Sequence, residues 1–148
     1  MVERAIRIEV GNKRLFDSVQ ATWNLLERST GAALQSAKAA GLGVIIKEAL
    51  ANGRLTDKNN DPSFADKLER LQHQAARLDT SLDALALAFV LAQPWVDIVL
   101  SGAAQVEHLL SNLQALDLNL DDQILQSLDD LIEPAEVYWE KRSKLPWN

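Results

Sequence analysis

Gln105, His108 and Asn112 recur at spacings of three and four, which places all three polar side chains on one face of a helix. Opening just after an apolar run, such a face can offer amide, imidazole and helix-end N–H groups together to an anionic or heteroaromatic ligand. On spacing alone it also reads as the solvated side of a surface helix. Gln20, at the end of another short apolar stretch, combines a donor and an acceptor on one side chain. By itself it reads equally as a polar residue closing a strand. No catalytic group can be assembled from the other reactive residue types. The only tyrosine, Tyr138, lies in the tail after Pro134, and His73 sits in a polar helical stretch with no acid partner at usable spacing, so both read as structural. Asp121-Asp122 and Asp129-Asp130 are adjacent pairs, and adjacency points side chains apart on a helix. No metal-ligand spacing occurs. The close glycine pair, Gly41 and Gly43, precedes an apolar run instead of following one, so it stops a helix and does not cradle phosphate.

The elements that must position these residues alternate in type. Val2 to Arg14 reads as a short amphipathic helix, and Leu15, Phe16 and Val19 lead into Gln20 as a short strand. Thr30 is placed to cap a helix through Ala39, Gly41 to end it in the left-handed conformation, and Val44-Ile45-Ile46 to form a strand buried on both faces. Beyond a polar loop from Asn52 to Pro62, helices are expected over Phe64–Arg77 and Leu82–Ala92. Pro94 then forbids continuation, and Val96 to Leu100 gives a third strand. Gln105 to Leu116 is the next helix, with Val106, Leu109, Leu110, Leu113 and Leu116 as its apolar stripe. Asp121 caps a further helix in which Leu120, Ile124, Leu128 and Leu131 are spaced for packing. Strands and helices in this order imply parallel pairing with right-handed crossovers in one α/β unit over residues 1–148. Three parallel strands cannot close a barrel, and their outer edges would expose unpaired backbone, so the chain reads as part of a larger fold.

Composition narrows the partners. The 148 residues are 47% hydrophobic and 24% charged, enough to bury a core. A net charge of -6, with the 15 basic residues scattered, argues against nucleic acid. The absence of cysteine excludes thiol catalysis, disulfides and thiolate metal sites. No signal-peptide or membrane-spanning apolar stretch is present in the sequence, which is read as soluble and cytoplasmic.

Three strings carry a resemblance to a known family. Phe16-Asp17-Ser18-Val19-Gln20-Ala21-Thr22-Trp23-Asn24-Leu25-Leu26 resembles the sixth strand of the aldo-keto reductases. Gly41 to Leu55, ending Leu50-Ala51-Asn52-Gly53-Arg54-Leu55, resembles the seventh strand and its loop. Val96 to Leu116, with Ser101-Gly102-Ala103 in the turn and Glu107 and Asn112 in the helix, resembles the eighth strand and its helix. Together with a family-like tail at Tyr138 to Asn148, the resemblance covers nearly the whole chain. It implies a partial (β/α)8 barrel, roughly the last three strands, from the C-terminal half of an NADP-dependent carbonyl reductase.

The cofactor contacts so implied fall at Gln20, Leu50, Gly53, Gly102, Ala103, Gln105, His108 and Asn112, with Gln20 toward the nicotinamide and the 105–112 face toward the adenosine 2'-phosphate and adenine. Two positions depart from the pattern. Lys47-Glu48-Ala49-Leu50 stands where many members have an aromatic and then Ser-Pro-Leu, and His108 stands where NADP-selective members have Arg, leaving Arg54 or another basic residue to supply charge. The family's catalytic Asp, Tyr, Lys and His come from the first four strands, to which nothing in this chain corresponds. The chain alone is therefore expected to be inactive. It is read as the cofactor half of a reductase completed by an N-terminal half or another subunit pairing with the exposed sheet edges. The alternative is a non-catalytic relative acting as a nucleotide-binding or interaction module.

Overall fold

The computed structural model describes residues 1–145; Pro146, Trp147 and Asn148 of the family-like tail lie outside the described residues. The N-terminal stretch is not one helix. Helix α1 covers Val2–Ile6 only, and an antiparallel hairpin of β1 (Glu9–Val10) and β2 (Lys13–Arg14) follows. The Gly11-Asn12 pair turns it, both at positive φ (58° and 63°), the geometry that matches the twist of paired strands. The sequence also places a turn here, closed by Asn12 and Lys13, but helix-like spacing of charged residues hides the strand pairing on either side of it.

The parallel sheet forms as expected. Strand β3 (Ser18–Thr22) pairs with β4 (Gly43–Lys47), and β4 pairs with β5 (Ile98–Val99), in the order β3-β4-β5. Helix α2 (Gly31–Ala39) makes the first crossover, burying Leu34 and Ala37, and Gly41 ends it at φ 82°. Thr30 does not cap α2. Its hydroxyl donates instead to the Thr22 carbonyl at 3.0 Å, tying the helix start to the strand end. Strand β5 is shorter than the apolar run Val96 to Leu100, although Asp97 and Leu100 still donate backbone N–H groups to Val44 and Ile46. An edge strand with one neighbour has only half its ladder to hold it extended.

Helix α3 (Ala65–Arg77) is entered through a 3-10 turn capped by Asp61, whose carboxylate accepts the Ser63 N–H. Ser81 caps helix α4 (Leu82–Leu91), whose residues Leu82 and Ala84 to Val90 are all buried. The core gathers around α4 and the covered face of the sheet, where Val44 and Ile46 are fully buried, and Trp23 stacks on Phe89 with centroids 5.4 Å apart. Helix α5 spans Val106–Leu113, with a 3-10 turn over Gln114–Leu116 in place of its expected last turn. Asp121 caps α6 (Asp122–Ser127), and Leu120, Ile124, Leu128 and Leu131 are all buried as their spacing implies. The tail forms helix α7 (Ala135–Lys144), which buries Tyr138 and Arg142.

Among the described residues two apolar surfaces stay uncovered. Gln20, Ile45 and Ile98 are in register across the sheet on the face away from α2 and α4, where Gln20 is exposed and Ile98 is 51% exposed. Helix α5 is turned opposite to a surface helix. Val106, Leu109, Leu110, Leu113 and Leu116 are each 45–68% exposed, whereas Asn112 on the polar face is buried.

Candidate functional site

His108 and Asn112 of the polar face of α5 line a cleft of about 610 Å³. Its walls come from the loop after β4, the loop after β5, the start of α4 and the inward side of α5. Six of the eight residues expected to contact cofactor line it: Leu50, Gly53, Gly102, Ala103, His108 and Asn112. The other two do not. Gln20 lies on the uncovered face of β3, and Gln105 is exposed at the start of α5 with no side-chain capping bond. Lys47 belongs by strand alternation to the same face as Gln20 and Ile45 and is half-buried.

The loop after β4 is held in an unusual shape. Glu48, Ala51 and Asn52 adopt positive φ of 55°, 49° and 56°, a region that costs non-glycine residues free energy, and Gly53 follows at 86°. Short backbone bonds close the loop: Ala51 N–H donates to Glu48 at 2.8 Å and Gly53 N–H to Leu50 at 3.0 Å. Outside it, α7 acts as a clamp. Arg142 donates from Nε and Nη2 to the two Glu48 carboxylate oxygens at 3.0 and 3.1 Å. The fully buried Asn24 donates to the Glu48 carbonyl at 2.9 Å and to the Tyr138 hydroxyl at 3.1 Å. Burial pushes the Tyr138 phenol up to about 12, against the smaller opposing effect of the Asn24 hydrogen bond. That environment suits a structural phenol.

Arg54 does not supply charge to the cleft. It turns away from the cleft, buried to 6% exposure, and forks onto Glu133 at 2.9 and 2.7 Å beneath the rings of Phe64 and Tyr138. Burial pushes the Glu133 carboxyl up, but the Arg54 hydrogen bonds and charge, with Lys67 and Lys141 each at 3.6 Å, outweigh it and hold the group below the ordinary carboxylate range. Lys58 is the basic residue that reaches the cleft, its Nζ standing 3.2 Å from His108 Nε2. With an ammonium as donor, His108 Nε2 is the acceptor, which assigns the ring proton to Nδ1. Asn112 is best oriented with its amide nitrogen toward Asp83 Oδ2 at 2.9 Å and the His108 carbonyl at 3.2 Å; the reverse orientation gives only a 3.3 Å bond to Ser101 O and sets the amide oxygen against a carboxylate. Ser81 and Ser111 meet at 3.1 Å on the same wall.

Sequence reasoning missed Lys58, Ser81, Asp83 and Ser111. Ser81 carries a capping signal that accounts for it without the cleft, and Lys58 lies in a polar loop whose direction no periodicity fixes. Among the described residues no group of three or more His, Asp or Glu side chains is placed to hold a metal ion.

A three-stranded parallel sheet with a cleft at the strands' C-terminal ends defines an α/β fold. The aldo/keto reductase family model matches residues 2–133, and the chain belongs to that family. It is 30% identical over 139 residues to the uncharacterized oxidoreductase YrpG of Bacillus subtilis, covering 80% of this chain and 43% of that protein. It is 27% identical to the NADH-specific methylglyoxal reductase of Escherichia coli, covering 81% and 43%. An aldo-keto reductase of Bacillus halodurans in its holo form shares the fold, with a TM-score of 0.67 at 22% identity over 82% of this chain and 44% of that one. The chain thus spans less than half the length of these relatives. No helix among the described residues is long and apolar enough to cross a membrane.

Proposed function

We propose that this chain is the cofactor-binding half of an NADP-dependent aldo-keto reductase, a class that reduces aldehydes and ketones by hydride transfer. One observation carries the reading. Six residues from two separate strand-to-helix loops and α5, all expected to touch a dinucleotide, line a single cleft at the C-terminal ends of parallel strands. The donor set fits a dinucleotide. Gly102 (φ 66°) and Ala103 bring backbone to the cleft at a point where a Cβ on the glycine would meet nothing within 4 Å, α5 begins without a side-chain cap, and Lys58 stands at the edge. A bound nicotinamide cofactor would supply the hydride, while this chain's residues bind and orient it. Leu50 and Gly53 would pack over it, and the α5 face would hold the adenosine end. Gln20 is the residue on this chain suited to the nicotinamide carboxamide, lying on the open sheet face outside the cleft proper.

The proton-donating chemistry belongs elsewhere in this reading. Tyr138 is fully buried, hydrogen-bonded to Asn24 and hard to ionise, so turnover requires groups from a complementing half or subunit. The exposed apolar stripe of α5 and the unpaired edges of β3 and β5 support such a partner. They equally favour a second reading, a subunit-interaction module without turnover. Calorimetric titration of the chain with NADPH separates the two: saturable binding is expected for the cofactor half, and no heat up to millimolar cofactor would refute it.

A further inference from the structure

We propose that the exposed stripe of α5 is a dimer interface, in which a second copy of this chain lays its own α5 antiparallel across a two-fold axis. Five large apolar side chains, Val106, Leu109, Leu110, Leu113 and Leu116, stay 45–68% exposed along α5 and the 3-10 turn that continues it, and no element among the described residues covers them. A contiguous apolar face of this kind marks an interaction site. What selects a second copy is the order of the residues. Val106, Leu109, Leu113 and Leu116 follow one another at intervals of three, four and three, so the stripe reads the same from either end. Two such helices laid antiparallel about an axis at position 111 set Leu109 against the partner's Leu113 and Val106 against the partner's Leu116, and each contact occurs twice. A surface complementary to itself in this way is what a two-fold dimer requires. The same intervals put Val106 and Leu113 at the a positions, and Leu109 and Leu116 at the d positions, of a heptad, the seam by which paired helices interlock. Leu110 lies beside the axis and widens the seam.

Charge agrees with this register. The carboxylates among residues 105–117 are Glu107 and Asp117. Antiparallel pairing brings Glu107 level with the partner's Ala115 and Asp117 level with the partner's Gln105, so no like charges meet. Asp117 then stands near the positive start of the partner's α5, which has no side-chain cap of its own. Parallel pairing would do the opposite, setting each carboxylate level with its own copy and the two helix dipoles side by side in the same sense. The cleft lies on the other side of α5, at His108, Ser111 and Asn112, so the dimer does not depend on what the cleft binds. A complementing barrel half would use the same stripe, and the two occupants exclude one another.

Sedimentation velocity of the full chain tests this, using wild type, Leu109→Glu and Leu113→Lys. Wild type should sediment at twice the chain mass at tens of micromolar and dissociate on dilution, since one short helix pair makes a small contact. Each variant alone should be monomeric, because its charge would be buried against leucine. An equimolar mixture of the two variants should recover the dimer, with Glu at 109 of one copy meeting Lys at 113 of the other and the native leucine pair kept on the far side of the axis. Recovery also shows that both variants fold. A monomeric wild type, single variants that dimerise as wild type does, or a mixture that stays monomeric would each overturn the proposal. A monomeric wild type that captures a separately expressed N-terminal barrel half only while the stripe is intact would overturn it in favour of that half.

Discussion

Replacing Glu133 by Gln removes one charge and almost no volume, and the structure makes it a severe change. Both partners of the Arg54–Glu133 pair are nearly out of water, with side chains 7% and 5% exposed, and the fork is bidentate. The substitution strands a buried guanidinium and leaves Lys67 and Lys141 crowding the same point without the carboxylate that now faces all three cations. Breaking such a pair costs about 3–5 kcal/mol. Whole-domain stabilities run to about 5–15 kcal/mol, so much of the total is at stake. Urea unfolding followed by circular dichroism at neutral pH measures it. The same logic predicts that Arg54→Met with Glu133→Leu, which removes both charges, is less destabilised than Glu133→Gln, because an apolar pair avoids the desolvation cost. A loss under about 1 kcal/mol for Glu133→Gln, or a double variant worse than the single one, would refute the reasoning. Acid gives an independent check. The Glu133 carboxyl is held below its ordinary value in the fold. Its contribution is therefore complete above the unfolded value of about 4.3 and is lost as pH falls from there through the folded value. Wild type should lose stability more steeply than Glu133→Gln in that acid range.

Three other perturbations probe separate links. Arg142→Met should weaken NADPH binding several-fold and speed hydrogen exchange in residues 48–55, since the clamp on Glu48 restrains a loop with three non-glycine residues at positive φ; unchanged exchange there would show that the loop holds its own shape. Tyr138 is the single tyrosine, so absorbance titration reports it alone. Its midpoint should lie at about 12, with stability complete below the unfolded value of about 10 and lost as pH rises between the two; a midpoint near 10 would contradict its burial. Leu110→Glu, on the exposed stripe of α5, should change the chain's own stability by less than about 0.5 kcal/mol while abolishing association with a complementing half in a pull-down; a large loss of stability would mean that the stripe is packed within the chain.

The parallel sheet was legible because its signals are local. Val44 and Ile46 belong to a β-branched run after a glycine stop, and Asp121 caps a helix as its residue type suggests. The cleft was legible through resemblance, which picked out Leu50, Gly53, Gly102, Ala103, His108 and Asn112 before any geometry. What was missed depends on direction. Charged residues among aliphatics before Gly11 fit helix spacing as well as a hairpin, and two positive φ angles at Gly11 and Asn12 decide between them. Arg54 and Lys58 are four residues apart in one loop, yet one turns into the core and the other to the cleft. That choice is made by Glu133, 79 residues beyond Arg54. Spacing within a loop carries no trace of such a partner.

The most informative misfit is α5. Its periodicity gave the correct helix and stripe, and ordinary amphipathic logic would bury the leucines and expose Gln105, His108 and Asn112. The structure does the reverse along most of the stripe, because the cleft side of α5 is already occupied by contacts from α4: Asp83 takes the Asn112 amide and Ser81 meets Ser111. A right-handed crossover leaving β5 would carry α5 toward the next parallel strand at the open edge of β5. The exposed stripe would then be available to a further strand-and-helix unit there, while Ile98 is exposed on the uncovered sheet face. This separates the two parts of the proposed function physically. In the proposed reading the walls of the cleft all come from residues 48–112, whereas the open sheet face carrying Gln20 would gain an opposite wall only from a partner that closed a barrel. Binding of the adenosine end should then be nearly intact in the isolated chain, and capture of the nicotinamide end should depend on the partner.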